Sequence, residues 1–295
     1  MAMTAAALNA GHGLVANADI IRRQFEREPF LVGHTLCDHP LLQLPRLIAL
    51  ATALPASAVE FNHADIPLNQ EYLKTPKTGL SAADTLHQIE NCHSWMVLKN
   101  VEYDAAYRQL LLECLEPLRP YTEAIAPGMC LPEAYIFVSS PRAVTPFHCD
   151  PEHNFLLQIR GTKQMAVFDR DNAEVITQPQ LEDKANGAHR NLPFDETMHH
   201  HEKVFRLISG NGLHVPMHCP HWVKVDDAVS VSFSITFRSR TSARREAALR
   251  VNSRLRRLGY QPTKPGQQTW NDEVKFFAER ALKRIARVIG RNSRA

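Results

Sequence analysis

Two side chains that could hold a metal ion lie close together in the middle of the chain. In "TPFHCDPEHNFLLQIRGTK", residues 145–163, His148 and Asp150 are two positions apart. On a β-strand, residues two apart point to the same side, so an imidazole and a carboxylate can converge on one ion while Cys149 faces away. His153 has the parity of Cys149 and drops out of such a set. In a chain with 15 histidines this spacing also arises by chance, and a hydrogen-bonded turn before a strand is the alternative.

A third ligand would have to come from a later strand. The segment "GNGLHVPMHCPHWVKV" offers His214, His218 and His221. His214 alternates with apolar neighbours, which indicates a core or cofactor-contact residue, and His218 falls in a connecting turn. The residues alone leave the choice open; we favour His221 because a residue that begins a strand is held more rigidly. Two histidines and one carboxylate on one face of an octahedral metal are the arrangement of non-haem Fe(II) oxygenases.

These residues lie in a part of the chain with β-type texture. From residue 134 to 237, short apolar runs alternate with turn signals, which predicts an all-β sandwich or barrel. In the last run, "AVSVSFSITF", apolar residues share one face and small hydroxyl residues the other. The hydroxyl face could line a cavity or form a solvent-facing edge. Its members are Ser230, Ser232, Ser234 and Thr236.

The sequence divides into three regions. Residues 1–127 are mixed and mostly helical, although the run "SWMVLKNVE" is compatible with a strand or a buried helical turn. Residues 128–240 form the predicted β-domain, and residues 241–295 form two basic C-terminal helices. The N-terminal "MAMTAAALNAGHGLVANAD" lacks the basic and apolar segments of a signal peptide, and we interpret it as a poorly ordered leader.

The C-terminal region carries most of the positive charge. It holds 14 Lys/Arg and 4 Asp/Glu, which leaves a balance of about −7 for the rest of a chain whose net charge is +3. The overall charge does not indicate a nucleic-acid partner, and no apolar segment is long enough to cross a membrane. The last helix has an apolar stripe, which we expect to pack on the β-domain or to form a homodimer. The stripe comprises Val274, Phe277, Ala281, Leu282, Ile285 and Val288.

The cysteines and a run of histidines are interpreted without a metal-binding role. The six cysteines form no CxxC pair, which favours reduced thiols and a cytoplasmic location. The run His199–His201 lies in the segment between the two ligand groups. We expect it to form a surface loop rather than a metal site.

Three segments of the sequence, taken together, resemble a known protein family. "VTPFHCDPEHNFLLQIRGTKQMAVF", "GLHVPMHCPHWV" and "VSVSF" resemble the cupin-like JmjC family of Fe(II)- and 2-oxoglutarate-dependent oxygenases, in particular its protein-hydroxylase branch. The likeness covers roughly residues 130–240. It implies a mainly β fold with α extensions, in which a double-stranded β-helix, a form of jelly roll, lies between a helical N-terminal region and C-terminal helices.

The resemblance also implies roles for individual residues. His148, Asp150 and His221 match the iron ligands. Residues matched to the 2-oxoglutarate pocket are Thr145, Asn154, Lys163, Ser232 and Tyr135. In the family, the threonine and lysine bind the distal carboxylate of 2-oxoglutarate, and a dianion in an apolar barrel needs such a cation. Tyr135 stands where the family has an apolar residue.

Two departures concern the substrate. Ser232 replaces an asparagine of the protein-hydroxylase branch, and Glu152 replaces a glutamine that helps to hold substrate there. Because of these departures, the substrate is left open between a protein or peptide side chain and a small molecule. The reaction that the resemblance implies is hydroxylation through a ferryl intermediate, with Fe(II), 2-oxoglutarate and O2. The alternatives are a non-catalytic cupin-like binding or regulatory protein and a metal-dependent enzyme that does not use 2-oxoglutarate.

Overall fold

Two antiparallel β-sheets form the centre of the protein. The computed structural model describes residues 13–292, and side chains up to residue 285. In spatial order, the strands of the large sheet are β1 (Leu14–Val15), β2 (Phe30–His34), β10 (Asn211–Val215), β7 (His153–Arg160), β12 (Ser230–Arg238), β5 (Cys130–Ser139), β4 (Ser94–Leu98) and β3 (Val59–His63). Those of the small sheet are β6 (Val144–His148), β11 (His221–Val225), β8 (Thr162–Val167) and β9 (Lys203–Ile208). This arrangement confirms the predicted mainly β fold.

Helices surround the sheets. They are α1 (Ala18–Gln24), α2 (Leu44–Ala53), α3 (Ala82–His87), α4 (Ala105–Leu115), α5 (Arg119–Ile125), α6 (Gln178–Ala185), α7 (Arg240–Arg257) and α8 (Thr269–Asn292). The N-terminal region is mixed, and four of its strands, β1 to β4, extend the large sheet at its two edges. The run "SWMVLKNVE", which periodicity left undecided, contains strand β4. Residues 1–12 of the predicted leader lie outside the described residues.

Strand β12 is central to the large sheet, between β7 and β5. Its apolar residues, such as Phe233 and Ile235, belong to the main hydrophobic core, together with Leu47 and Leu110 from the helices. Its hydroxyl residues are also buried: Ser232 is 0% exposed. The hydroxyl face therefore does not form a solvent-facing edge, and its side chains face the interior between the sheets.

Helix α7 packs on α8 and on α6. Helix α7 begins at a capping box formed by Ser239 and Ser242. The side of α8 that is buried carries Lys275 and Glu279, not the apolar stripe. The expectation that the stripe packs on the β-domain is wrong: Phe277 is 62% exposed. The side chain of Val288 lies outside the described residues.

Two further observations concern disulfide bonds and membrane-spanning helices. All six cysteines lie in the described part of the chain, and none is paired in a disulfide. Among the described residues, no helix is both long and apolar enough to span a membrane.

Candidate metal centre and adjoining clefts

The pairing of β6 with β11 brings the predicted histidines together. His148 is the last residue of β6, His221 is the first of β11, and the two are directly opposite each other. Their ring centroids are 4.1 Å apart. Strand β6 ends at His148, so Asp150 lies in the following turn, not on the strand as the parity rule assumed. Its Oδ2 nevertheless lies 3.9 Å from His148 Nε2 and 3.7 Å from His221 Nε2.

Backbone hydrogen bonds fix the orientation of both imidazoles. His148 Nδ1 donates to the carbonyl oxygen of Pro146 at 2.7 Å, and His221 Nδ1 donates to that of Cys219 at 2.9 Å. Because a carbonyl oxygen only accepts, Nδ1 carries the proton in each ring and the Nε2 lone pair faces Asp150. Burial, reinforced by the neighbouring His148, lowers the pKa of His221 to about 4, which keeps that ring neutral. This is the state that binds metal, and the donor set fits a divalent ion such as Fe(II).

A residue that the sequence analysis missed, Arg190, holds the carboxylate. Arg190 Nη1 donates to Asp150 Oδ1 at 2.7 Å, which leaves Oδ2 for the ion. Burial opposes the charge on Asp150, but the Arg190 guanidinium outweighs it and holds the pKa of the carboxyl below its usual range. Arg190 lies 40 residues beyond Asp150, in a loop after α6. No periodicity or motif in that loop marks it.

The predicted lysine is buried beside the metal centre. Lys163, on β8, is 4% exposed, and its Nζ donates to Ser232 Oγ at 2.6 Å. Ser232 Oγ in turn donates to Gln158 Oε1 at 2.7 Å. No described carboxylate forms an ion pair with Lys163, and burial lowers the pKa of its ammonium to about 7. The cation is therefore costly in the free protein and favours the binding of an anion.

Lys163 follows a turn that requires glycine. Gly161 has φ of +74°, and a Cβ there would lie 2.3 Å from the carbonyl oxygen of Val229. The turn joins β7 to β8 and so sets where Lys163 enters the interior.

One pocket, here called the lysine pocket, joins the metal centre to Lys163. The lysine pocket is lined by the three candidate metal ligands, by apolar residues such as Leu156, and by Thr145, Asn154 and Lys163. Asn154 Oδ1 accepts a hydrogen bond from Ser234 Oγ at 2.8 Å. The structure thus brings together four of the five residues matched to the 2-oxoglutarate pocket, with Ser232 included through its hydrogen bond to Lys163.

The fifth matched residue, Tyr135, lines a different space, here called the outer cleft. This cleft has a volume of about 500 Å³ and also reaches Thr145, His148 and Asp150. The hydroxyl of Tyr135 donates to Glu133 Oε2 at 2.7 Å. Across the cleft, Tyr72 stacks on His189 with ring centroids 3.7 Å apart. The metal centre therefore opens into an aromatic cleft that could admit a substrate.

The remaining histidines lie outside the centre. His153 is fully buried and its Nε2 contacts Ser239 Oγ at 3.1 Å. His214 is surrounded by phenylalanines in the core, and His218 occupies the turn before His221. The run His199–His201 belongs to a 3-10 helix at the surface. Among the described residues, only the His148, Asp150 and His221 group has the geometry to hold an ion.

The fold and the centre define a class of protein: a double-stranded β-helix in which two histidines and an aspartate converge at one end of the small sheet. Residues 58–247 match the model of the cupin-like domain family. The chain belongs to this family, which confirms the resemblance to cupin-like JmjC-type proteins. A search of curated proteins finds no significant match.

One solved structure supports the same fold. The chain is similar to YcfD from Escherichia coli, with 14% identity and a TM-score of 0.51 over 88% of this chain and 63% of that one. A second structure, described as the E. coli ribosomal oxygenase YcfD, has 15% identity and a TM-score of 0.49 over 92% of this chain and 68% of that one. The chain thus spans less than two thirds of the length of the first structure. At this level of identity, the similarity supports the fold alone.

Proposed function

We propose that the protein is an Fe(II)- and 2-oxoglutarate-dependent oxygenase that hydroxylates a protein or peptide side chain or a small molecule. The observation that carries this proposal is the position of Lys163. Its buried ammonium has no carboxylate partner among the described residues and lines the same pocket as the candidate metal ligands. A dicarboxylate that contacts Lys163 at one end would have its other end beside the histidines.

Residues of this chain have distinct tasks in the proposed reaction. His148, Asp150 and His221 would hold the iron, and Arg190 keeps Asp150 turned toward the histidines. Bound iron would supply the activation of O2, with 2-oxoglutarate oxidised to succinate and CO2 as one oxygen atom enters the substrate C–H bond. Lys163 would anchor the distal carboxylate, and Thr145 would donate a second hydrogen bond to it.

The pocket also limits water. The walls of the pocket around Lys163 are largely apolar and are formed by Leu156, Met165, Val223 and Phe137. In such surroundings an ion pair between the lysine and a carboxylate is stronger than at the surface. The outer cleft would receive the substrate, because it reaches His148 and Asp150 and is not lined by Lys163.

Two alternatives fit the lysine pocket less well. A non-catalytic cupin-like binding protein has no need for an unpaired buried cation beside a metal centre, since that cation costs stability. A metal-dependent enzyme that does not use 2-oxoglutarate also leaves Lys163 without a function.

Calorimetry with Mn(II) in place of iron tests the proposal. We expect 2-oxoglutarate to bind the wild-type protein much more tightly when Mn(II) is present, because the metal and Lys163 hold opposite ends of one molecule. His148→Ala should lose this dependence on metal. Equal affinity for 2-oxoglutarate with and without Mn(II) in the wild-type protein would refute the proposal.

A further inference from the structure

A second cleft adjoins the outer cleft and is lined by several cationic side chains. This cleft, here called the basic cleft, has a volume of about 580 Å³ and lies between the loop after α6 and helices α7 and α8. Gly187, Ala188 and Arg190 line both clefts. A ligand that extends over this short segment would therefore reach the metal centre at one end and the basic cleft at the other.

The basic cleft has an excess of positive charge. Six cationic side chains line it: Lys184, Arg190, Arg238, Arg250, Arg254 and Lys283. Four carboxylates pair with them: those of Asp150, Glu152, Glu246 and Glu279. Two positive charges remain, which matches a ligand with one or two acidic groups.

Individual contacts show where the unsatisfied charge lies. Lys184 Nζ donates to the backbone carbonyl oxygens of His189 and Asn191, and forms no ion pair with a described carboxylate. Arg254 contacts Glu279 through Nη1. Lys283 Nζ is 3.6 Å from the same Glu279 carboxylate, and its side chain is 51% exposed. The outer part of the cleft thus offers cationic donors to an incoming carboxylate.

A buried polar atom also points to a ligand. His218 lines the basic cleft and is 2% exposed. Its Nδ1 has no hydrogen-bond partner among the described residues. Buried polar atoms are rarely left unpaired, so this ring keeps an unused hydrogen-bonding atom in a residue that lines the cleft.

We propose that the basic cleft binds acidic side chains of a peptide substrate, next to the residue that enters the outer cleft. This inference rests on the proposed oxygenase function. An acidic peptide fits better than a nucleic acid, because the chain before Thr241 has a net charge of about −7 and would repel a long polyanion outside the cleft. The planar guanidinium groups of the cleft also match the geometry of carboxylates.

A binding measurement on the full-length chain tests the cleft separately from catalysis. The probe is fluorescein-labelled tetraglutamate, followed by anisotropy in low-salt buffer without metal or 2-oxoglutarate. We expect Arg254→Gln/Lys283→Gln to weaken binding by about tenfold, since two charge-assisted contacts are lost. The matched control, Lys203→Gln/Arg257→Gln, removes two exposed charges outside the cleft and should change binding by less than about twofold.

Because the double substitution also removes partners of the buried Glu279, Lys283→Glu provides a second variant at an exposed position. It should weaken tetraglutamate binding as well, with an unchanged thermal unfolding temperature. Equal binding by wild type, Lys283→Glu and the control variant would overturn the inference. So would tighter binding of a ten-nucleotide uridine RNA than of tetraglutamate, if the same substitutions abolish it.

The second measurement concerns substrate. In a random peptide library incubated with Fe(II), 2-oxoglutarate and O2, we expect the peptides that gain one oxygen atom to be enriched in Asp and Glu near the modified residue. Hydroxylated peptides without this enrichment would contradict the inference. If no peptide gains oxygen, the proposed function fails, and tetraglutamate binding still decides whether the basic cleft takes acidic side chains.

Discussion

Replacement of Lys163 by methionine should stabilise the free protein and weaken its binding of 2-oxoglutarate. Methionine is similar in length to lysine and fits an apolar site. Lys163 is 4% exposed, and burial lowers its pKa from the ordinary 10.5 to about 7. At 1.36 kcal/mol per pKa unit, the charged ammonium costs the folded state about 5 kcal/mol as an upper bound. Loss of the hydrogen bond to Ser232 offsets about 1–3 kcal/mol of this, so a net gain of about 2–4 kcal/mol is expected at pH 6.

The gain should depend on pH in a defined direction. Since the pKa of Lys163 is lower in the folded than in the unfolded protein, the cost is complete below about pH 7, where both states are protonated. It declines as the pH rises from about 7 to 10.5, because only the unfolded state then binds the proton. Urea unfolding of both proteins at several pH values measures the difference, which should shrink over this range.

The same substitution should weaken the binding of 2-oxoglutarate, although it stabilises the free protein. A charge-assisted contact of about 1.5–3 kcal/mol corresponds to a loss of roughly 10- to 150-fold in affinity in Lys163→Met. In the wild-type protein the affinity should fall as the pH rises above about 7, where the free lysine loses its proton. In the variant it should not vary in this range.

The control for both measurements is Lys224→Met, on the exposed side of β11. It removes only the contact of the Lys224 ammonium with the Trp222 ring, so it should change the free energy of unfolding by less than about 1 kcal/mol and leave 2-oxoglutarate binding unaltered. If Lys163→Met were less stable than the wild-type protein at pH 6, or bound 2-oxoglutarate equally well, the account of this lysine would be wrong.

Three other predictions concern separate parts of the molecule. Arg190→Ala should lower the affinity for Co(II), measured by titration, by roughly 10- to 100-fold, since the aspartate loses its orientation; unchanged affinity would exclude that role. Gly161→Ala should reduce the free energy of unfolding in urea by about 3 kcal/mol or more, whereas Gly187→Ala, with positive φ but open space around it, should cost about 1–2 kcal/mol; equal losses would refute the backbone clash. The exposed stripe on α8 predicts a homodimer in sedimentation experiments, and Phe277→Glu/Ile285→Glu should give monomers; a monomeric wild-type protein would contradict this.

Local sequence patterns predicted the mainly β fold, because short apolar runs bounded by turn residues are typical of strands buried between two sheets. The hydroxyl face of β12 is an example: the alternation was evident, but only the position of β12 between β7 and β5 shows that this face is buried. The run around β4 was ambiguous because a short apolar segment satisfies a strand and a buried helix equally well.

At the candidate site, the sequence supplied the residues that belong to compact motifs. His148, Asp150 and His221 converge as expected, although Asp150 does so from a turn beyond the strand end. Arg190 could not be predicted, since it reaches Asp150 from a loop with no periodic pattern. The α8 stripe illustrates the same limit: its amphipathic spacing shows that a face is apolar, not which surface covers it.

The central claim is that one centre binds both iron and 2-oxoglutarate. Anaerobic titration of the protein with Fe(II) and 2-oxoglutarate tests it most directly, because the iron chelate of 2-oxoglutarate has a weak visible charge-transfer band. We predict that the band develops in the wild-type protein and is lost in His148→Ala. Absence of the band in the wild-type protein, or its full intensity in His148→Ala, would contradict the assignment.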